Sequence, residues 1–190
     1  EPLRNFNFFL NNQNVINFPD QVIRDKYVGL ARFARASFYF DKVKSYGDVP
    51  WYSMVIENTD INSLQKARDP RALVMDSVLA DIDFAIAHLD QTKSVERITK
   101  WTALALKSRI CLYEGTWRKY HTEFNIAGAD KFLNECVSAS QELMSSGIYT
   151  LYTKTDGPSG KAYQDLFAHL KLDPVSDEVI MGRRFDNTLG

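Results

Sequence analysis

Histidine is scarce in this chain, and the residue types that catalyse reactions or bind metals are not arranged for either purpose. The three histidines, His88, His121 and His169, are far apart, and no two have the spacing of a metal-binding pair. Asp81 and Asp83 lie two residues apart on a predicted helix, so they point about 200° from one another and cannot form a catalytic pair. We interpret both as solvent-facing. No zinc, nucleotide-binding or hydrolase motif occurs in the sequence, which predicts a protein that is not an enzyme and uses no metal or cofactor.

The adjacent aromatic residues Trp51 and Tyr52 are the candidates for ligand binding. They follow a predicted helix end and open a polar stretch, residues 51–66, that has no sustained apolar period. An aromatic ring offers a flat apolar face and, in these two residues, a polar group at its edge, which suits stacking on the C–H face of a sugar ring. Alternatively, either ring folds back onto the preceding helix as a hydrophobic latch. Both readings stay open for each residue.

The overall composition predicts a single domain with a packed core. Of 190 residues, 45% are hydrophobic and 13% are aromatic. The formal net charge of −1 gives no electrostatic reason to expect nucleic acid or an anionic membrane as a partner. No uninterrupted apolar stretch reaches the roughly 18 residues of a membrane-spanning helix. The chain starts at Glu1 without Met or a signal peptide and stops in mid-pattern at Gly190, which predicts a piece of a longer protein.

Apolar residues recur at helical spacing through most of the chain. After a short helix within residues 1–14, this pattern predicts helices, packed as antiparallel pairs, over residues 19–46, 70–89, 100–117 and 129–146. Pro19 and Asp20 are predicted to begin the first of these helices, and Asp69 and Thr99 are the predicted N-caps.

Beyond Gly147 the pattern changes to brief alternation, a GPSG turn at 157–160 and a short predicted strand within 178–186. The predicted fold class is therefore predominantly all-α. Residues 1–147 form the helical core of degenerate tetratricopeptide-like hairpins, and residues 148–190 begin an irregular, β-containing region that continues beyond this chain.

The stretch from 29 to 52 has the most distinctive pattern in the chain. Its helix is predicted to end at Gly47, which can take a left-handed conformation, and Pro50 prevents the helix from resuming. Arg35 lies in mid-helix among apolar residues, where an unpaired guanidinium would be costly. We predict that Arg35 pairs with a carboxylate or with carbonyl groups; contact with a ligand is the alternative.

The same stretch resembles a helix that is typical of the SusD/RagB family. The family pattern, roughly A-x-F-x-R-A-x-x-Y-F-x-L-x-x-x-Y-G-D-V-P, is matched here by Ala31, Phe33, Arg35, Ala36, Tyr39, Phe40, Tyr46, Gly47, Asp48, Val49 and Pro50, and the apolar Val43 lies one residue after the pattern's Leu position. Segments at 68–89, 98–117 and 146–186 follow in the family's order. The resemblance therefore covers nearly all of the chain.

This resemblance implies a fold and a function. SusD-like proteins are built on four tetratricopeptide-like helix pairs and bind glycans or other nutrients, without catalysis, at the cell surface of Bacteroidetes. They act with a SusC-like TonB-dependent transporter in the outer membrane, and a lipidated cysteine near the mature start anchors them. That cysteine is absent from this sequence, so a lipid anchor is implied by resemblance alone.

Two alternatives to glycan binding follow from the same residues. A helical-repeat scaffold that binds protein partners is the main one, because tetratricopeptide surfaces usually recognise peptides; a carbohydrate-active enzyme ranks below it.

Cys111 and Cys136 are the only cysteines. Helix axes pack about 8–10 Å apart, whereas a disulfide needs Cα atoms within about 7 Å, which favours free thiols over a disulfide between them.

Overall fold

A computed structural model describes residues 2–155, 157, 159–168 and 177–183. Within them the protein is helical and has no β-strand, which confirms the predominantly α fold class. The α-helices are α1 (Pro2–Asn12), α2 (Gln21–Tyr46), α3 (Ile61–Leu64), α4 (Arg71–His88), α5 (Lys100–Tyr120), α6 (Ala129–Ser145) and α7 (Ala162–Ala168). Short 3₁₀ helices occupy Gln13–Val15 and Thr122–Phe124.

Helices α2, α4, α5 and α6 pack side by side, each antiparallel to the next. Lys26 on α2 pairs with Asp90 just after α4, and Arg35 pairs with Asp81. From α4 to α5 the direction reverses again, since Arg71 pairs with Glu114 near the far end of α5. These contacts confirm the predicted helix pairs. The core between the helices is built from apolar side chains that include Phe33, Tyr39, Phe40, Val43, Val74, Met75, Val78, Ile82, Ala103, Ile110 and Phe132.

The predicted N-cap Thr99 is confirmed, and the predicted N-cap Asp69 is wrong. Thr99 forms a reciprocal capping box with Thr102, and at α2 the Asp20 carboxylate accepts a hydrogen bond from the Ile23 backbone nitrogen. At α4, however, the Arg71 backbone N–H donates to Asp48 Oδ1 at 2.8 Å. Asp48 reaches α4 because Val49 and Asp69 form an isolated antiparallel β-bridge.

Two aromatic side chains fold over the histidines of the described helices. His88 stacks on Phe84, and His121 stacks on Trp117, each histidine one helical turn after its partner. The Nδ1 atom of each lies within 3.0 Å of the carbonyl oxygen four residues earlier. These histidines are therefore held by their own helices. His169 lies outside the described residues, and no cluster of three or more metal-binding side chains forms in the part that the structure describes.

The C-terminal region packs on a second small core instead of forming the predicted strand. Ile148, Tyr149 and Ile180 contact buried Trp101, Leu104 and Ala139. Over residues 178–183 the strand prediction is wrong, and 184–186 lie outside the described residues. Single backbone hydrogen bonds, such as that from Gly182 N–H to Val95 O, hold the segment in place of a ladder. The division of the chain at residue 147 stays a prediction.

The two cysteines do not form a disulfide. Cys111 is buried and Cys136 is half-buried, and both are free thiols. Burial raises the pKa of the Cys111 thiol to about 12. Among the described residues, no helix combines the length and the apolar character required to cross a membrane.

Gly47 has the positive φ that its place at the end of α2 predicts. Its φ is 70°, and its N–H donates to Val43 O at 3.0 Å. A Cβ at this position would meet nothing within 4 Å, so the cost of a side chain comes from the backbone conformation alone. We expect Gly47→Ala to lower the free energy of unfolding by about 1 kcal/mol. Urea denaturation measures this, and an unchanged midpoint would contradict it.

Candidate functional site

Trp51 lies against the core, with its ring between two core-facing side chains. Its ring centroid is 4.3 Å from that of Tyr39, and the Arg35 guanidinium lies 5.1 Å from its centre. Its backbone is also fixed, because Trp51 N–H donates to Asp69 Oδ2 at 2.7 Å and Lys66 Nζ donates to Trp51 O at 3.1 Å. This is the geometry of the latch. The assignment of Trp51 to a ligand site stays a prediction.

Tyr52 is held at its backbone and at its ring edge. Its N–H donates to the Tyr39 hydroxyl at 2.7 Å, and its own hydroxyl donates to Ser63 O at 2.8 Å. The Tyr39 hydroxyl in turn contacts Pro50 O at 3.3 Å. Burial raises the pKa of Tyr39 to about 12, so this phenol stays protonated at neutral pH and can keep donating. The Tyr52 ring is therefore positioned before any ligand arrives.

Two asparagines of α1 fix the loop that follows Tyr52. Asn7 Nδ2 donates to the carbonyl oxygens of Tyr52 and Met54, at 2.9 and 3.1 Å. One turn further along the helix, Asn11 Oδ1 accepts from Val55 N–H at 2.9 Å. This role was not predicted from the sequence. Amides four residues apart on one face of a short helix were the signal that could have found it.

Asn7 also connects this loop to the buried centre of the molecule. Its Oδ1 accepts from Arg35 Nη1 at 3.1 Å, while Arg35 makes two hydrogen bonds to Asp81, at 2.7 and 2.8 Å. Asn7, Arg35 and Asp81 are all buried. Arg35 thus pairs with a carboxylate, as predicted. The prediction that Asp81 faces solvent is wrong, because Asp81 is only 3% exposed and lies opposite this arginine.

A surface hollow of about 310 Å³ lies between α1 and the loop that contains Tyr52. Its walls are mostly apolar, and two of its side chains, Met54 and Leu64, are 62% and 53% exposed. We call it the Tyr52 hollow. Its lining residues are Leu3, Arg4, Asn7, Tyr52, Met54, Val55, Ile56 and Leu64.

The site residues predicted from the sequence therefore separate into two groups. Tyr52 lines the hollow. The other predicted residues have structural roles away from the hollow. Arg35 pairs with buried Asp81, and Gly47 ends α2. Asp48 caps α4, and the carbonyl oxygen of Pro50 accepts from the Tyr39 hydroxyl. The arrangement joins an aromatic ring to apolar walls, a combination that suits the binding of a ligand.

Comparisons with known proteins place this fold in one class. No family model matches the sequence. A SusD-like protein of Formosa agariphila is 26% identical over 166 residues, which are 85% of this chain and 29% of that protein. The crystal structure of a SusD-like protein from Bacteroides fragilis is 25% identical over 83% of this chain and 27% of its own, with a TM-score of 0.66. A second structure from that organism, described as a SusD-like carbohydrate-binding protein, shares 19% identity over 80% of this chain and 27% of its own, with a TM-score of 0.63.

In its antiparallel helix pairs and in its sequence, this chain is similar to SusD-like proteins. It spans less than a third of the length of the curated relatives that it matches.

Proposed function

We propose that this chain is part of a non-catalytic surface protein that binds an oligosaccharide or a similar nutrient. The bound molecule would pass to a SusC-like TonB-dependent transporter in the outer membrane, where a lipid anchor holds the binding protein. Similarity in sequence and fold to SusD-like proteins supports this function, and one of the similar structures is described as carbohydrate-binding. The Tyr52 hollow is the part of the described chain that we assign to the ligand.

The observation that carries this assignment is the rigidity of the hollow. Asn7 donates to the backbone of residues 52–55, and Tyr39 and Asn11 accept from it, so the Tyr52 ring needs no ordering when a ligand binds. Preorganisation of this kind lowers the entropic cost of association. An aromatic ring beside exposed apolar side chains suits the C–H face of a pyranose.

Calorimetric titration of the chain with a panel of oligosaccharides tests the assignment. We expect one or more members of the panel to bind, and we expect Tyr52→Ala to lose about 1–2 kcal/mol of affinity, roughly 5- to 30-fold. Tyr52→Phe is the matched control: it keeps the ring and loses only the hydroxyl, so it should bind nearly as well as the wild type.

Trp51→Ala separates the latch from the ligand site. Because Trp51 packs on Tyr39 and Arg35, we expect the variant to lose about 3 kcal/mol of stability. Its affinity, measured where the variant is still folded, should change less than that of Tyr52→Ala. Normal stability with a large loss of affinity would instead place Trp51 in the ligand site and contradict the latch.

Binding to protein partners distinguishes the transporter role from a general scaffold. For the full-length protein, we expect both heat of binding with an oligosaccharide and co-purification with the transporter. A scaffold would capture protein partners and give no heat with any sugar of the panel. That outcome would contradict the proposed function.

A further inference from the structure

The polar groups in the wall of the Tyr52 hollow are nearly all occupied. The Asn7 amide donates to two carbonyl groups and accepts from Arg35. The Tyr52 hydroxyl donates its proton to Ser63 O. The other lining side chains, apart from Arg4, are aliphatic or thioether groups. Among these lining side chains, a ligand therefore finds unused hydrogen-bond donors only on Arg4, which is a cation.

Arg4 is exposed, and within the described part of the chain it forms no hydrogen bond or ion pair. Its place also gives no benefit to the helix, because a cation in the first turn of α1 opposes the helix dipole. No carboxylate is among the lining residues of the hollow. Lys66 is also close to the Tyr52 ring, but its charge is offset by Asp69 at 2.6 Å. Among the residues that the structure describes, the positive charge of Arg4 at this hollow therefore has no paired carboxylate.

We propose that the Tyr52 hollow selects acidic sugars, in which a carboxylate or sulfate group pairs with the Arg4 guanidinium. The sugar's C–H face then lies against Tyr52 and the aliphatic walls, while its oxyanion accepts hydrogen bonds from Arg4. A guanidinium can bind either oxyanion through two parallel N–H groups, which makes it more selective than a single donor. A neutral sugar offers no group that uses the charge. This inference rests on the proposed function, because it names the ligand class of the same site.

Matched pairs of oligosaccharides test the selection. Oligosaccharides that contain uronic acid are compared by calorimetry with their carboxyl-reduced counterparts, and sulfated ones with their desulfated counterparts. In each pair only the charged group differs. We expect the acidic member of at least one pair to bind about tenfold more tightly at low salt, and this advantage to shrink as salt rises. If only the uronic acid pair shows this tighter binding, the oxyanion is a carboxylate; if only the sulfated pair shows it, the oxyanion is a sulfate.

Two substitutions assign the effect to Arg4. Arg4→Gln should remove the tenfold preference, measured as the ratio of the two affinities within each pair. Arg109→Gln is the control, since Arg109 is also exposed but lies on α5 beside a different hollow; it should leave the preference intact. Circular dichroism checks that both variants keep the helical fold.

The possible outcomes separate this inference from the proposed function. Equal binding of the acidic and neutral members would overturn the acidic selection and leave the glycan-binding function standing. A preference that survives Arg4→Gln would also overturn it. Absence of binding by every member, acidic or neutral, would overturn both proposals.

Discussion

Replacing Glu114 with alanine is expected to lower the free energy of unfolding by about 3–5 kcal/mol. The Glu114 side chain is fully buried in α5 between two arginines that are themselves buried. Its Oε2 lies 2.7 Å from Arg71 Nη2, and its Oε1 accepts from Arg118 Nε at 2.7 Å. Removing the carboxylate leaves two guanidinium groups without their shared anion. The loss is large because those charges stay buried, whatever the net value of the intact triad.

Urea denaturation of the variant and a control measures this effect. Glu123→Ala removes the same side chain type from an exposed position just after α5, where we expect a change within about 0.5 kcal/mol. A Glu114→Ala variant as stable as Glu123→Ala would contradict the role of Glu114 as the shared partner of Arg71 and Arg118.

Asp81→Ala is expected to cause the second large loss, also about 3–5 kcal/mol. Asp81 on α4 binds Arg35 of α2 through both carboxylate oxygens, and the pair is buried. Without it, Arg35 keeps only its hydrogen bond to Asn7. Because Asn7 also holds the loop of the Tyr52 hollow, the variant should weaken ligand binding together with stability.

Asp83→Ala is the natural control for Asp81→Ala. Asp83 lies two residues further along α4, its side chain is 47% exposed, and it pairs with Lys107. Exposed ion pairs contribute at most about 1 kcal/mol. Thermal denaturation of the two variants should therefore differ by several degrees. Equal losses would show that the Arg35–Asp81 pair is not more important than a surface pair.

The two aspartates also show what the sequence could and could not predict. Helix geometry alone was enough to predict that Asp81 and Asp83 do not form a catalytic pair, because residues two apart on a helix point in different directions. The interpretation of Asp81 as solvent-facing was wrong, although the pattern held a signal: Val74, Val78, Asp81 and Ala85 follow one another at steps of four, three and four. Asp81 thus lies on the apolar stripe. Arg35 likewise lies on an apolar stripe, that of α2. A buried arginine and a buried aspartate on two helices are each expected to need a partner of opposite charge, and they pair with each other.

The helices could be predicted from the sequence, whereas the hydrogen bonds between residues far apart in the sequence could not. Periodicity and local stop signals depend on neighbours in sequence, so the ends of α2 at Asp20 and Gly47 were found correctly. The cap of α4 comes from Asp48, 23 residues before Arg71, through a contact that exists only in three dimensions. Likewise, nothing local indicates that Asn7 binds carbonyl groups 45 and 47 residues away. The aromatic pair was found from the sequence, but the walls around Tyr52 were not.

NMR mapping of the backbone amide signals tests most directly where the ligand lies. The isotope-labelled chain is titrated with an oligosaccharide that binds. We expect the largest shift changes at residues 52–56 and at Leu3, Arg4 and Asn7, the two walls of the Tyr52 hollow. Tyr52→Ala, titrated in parallel, should lose these changes. Shift changes confined to other surfaces, such as the loop at residues 90–99, would contradict the assignment of the ligand to this hollow.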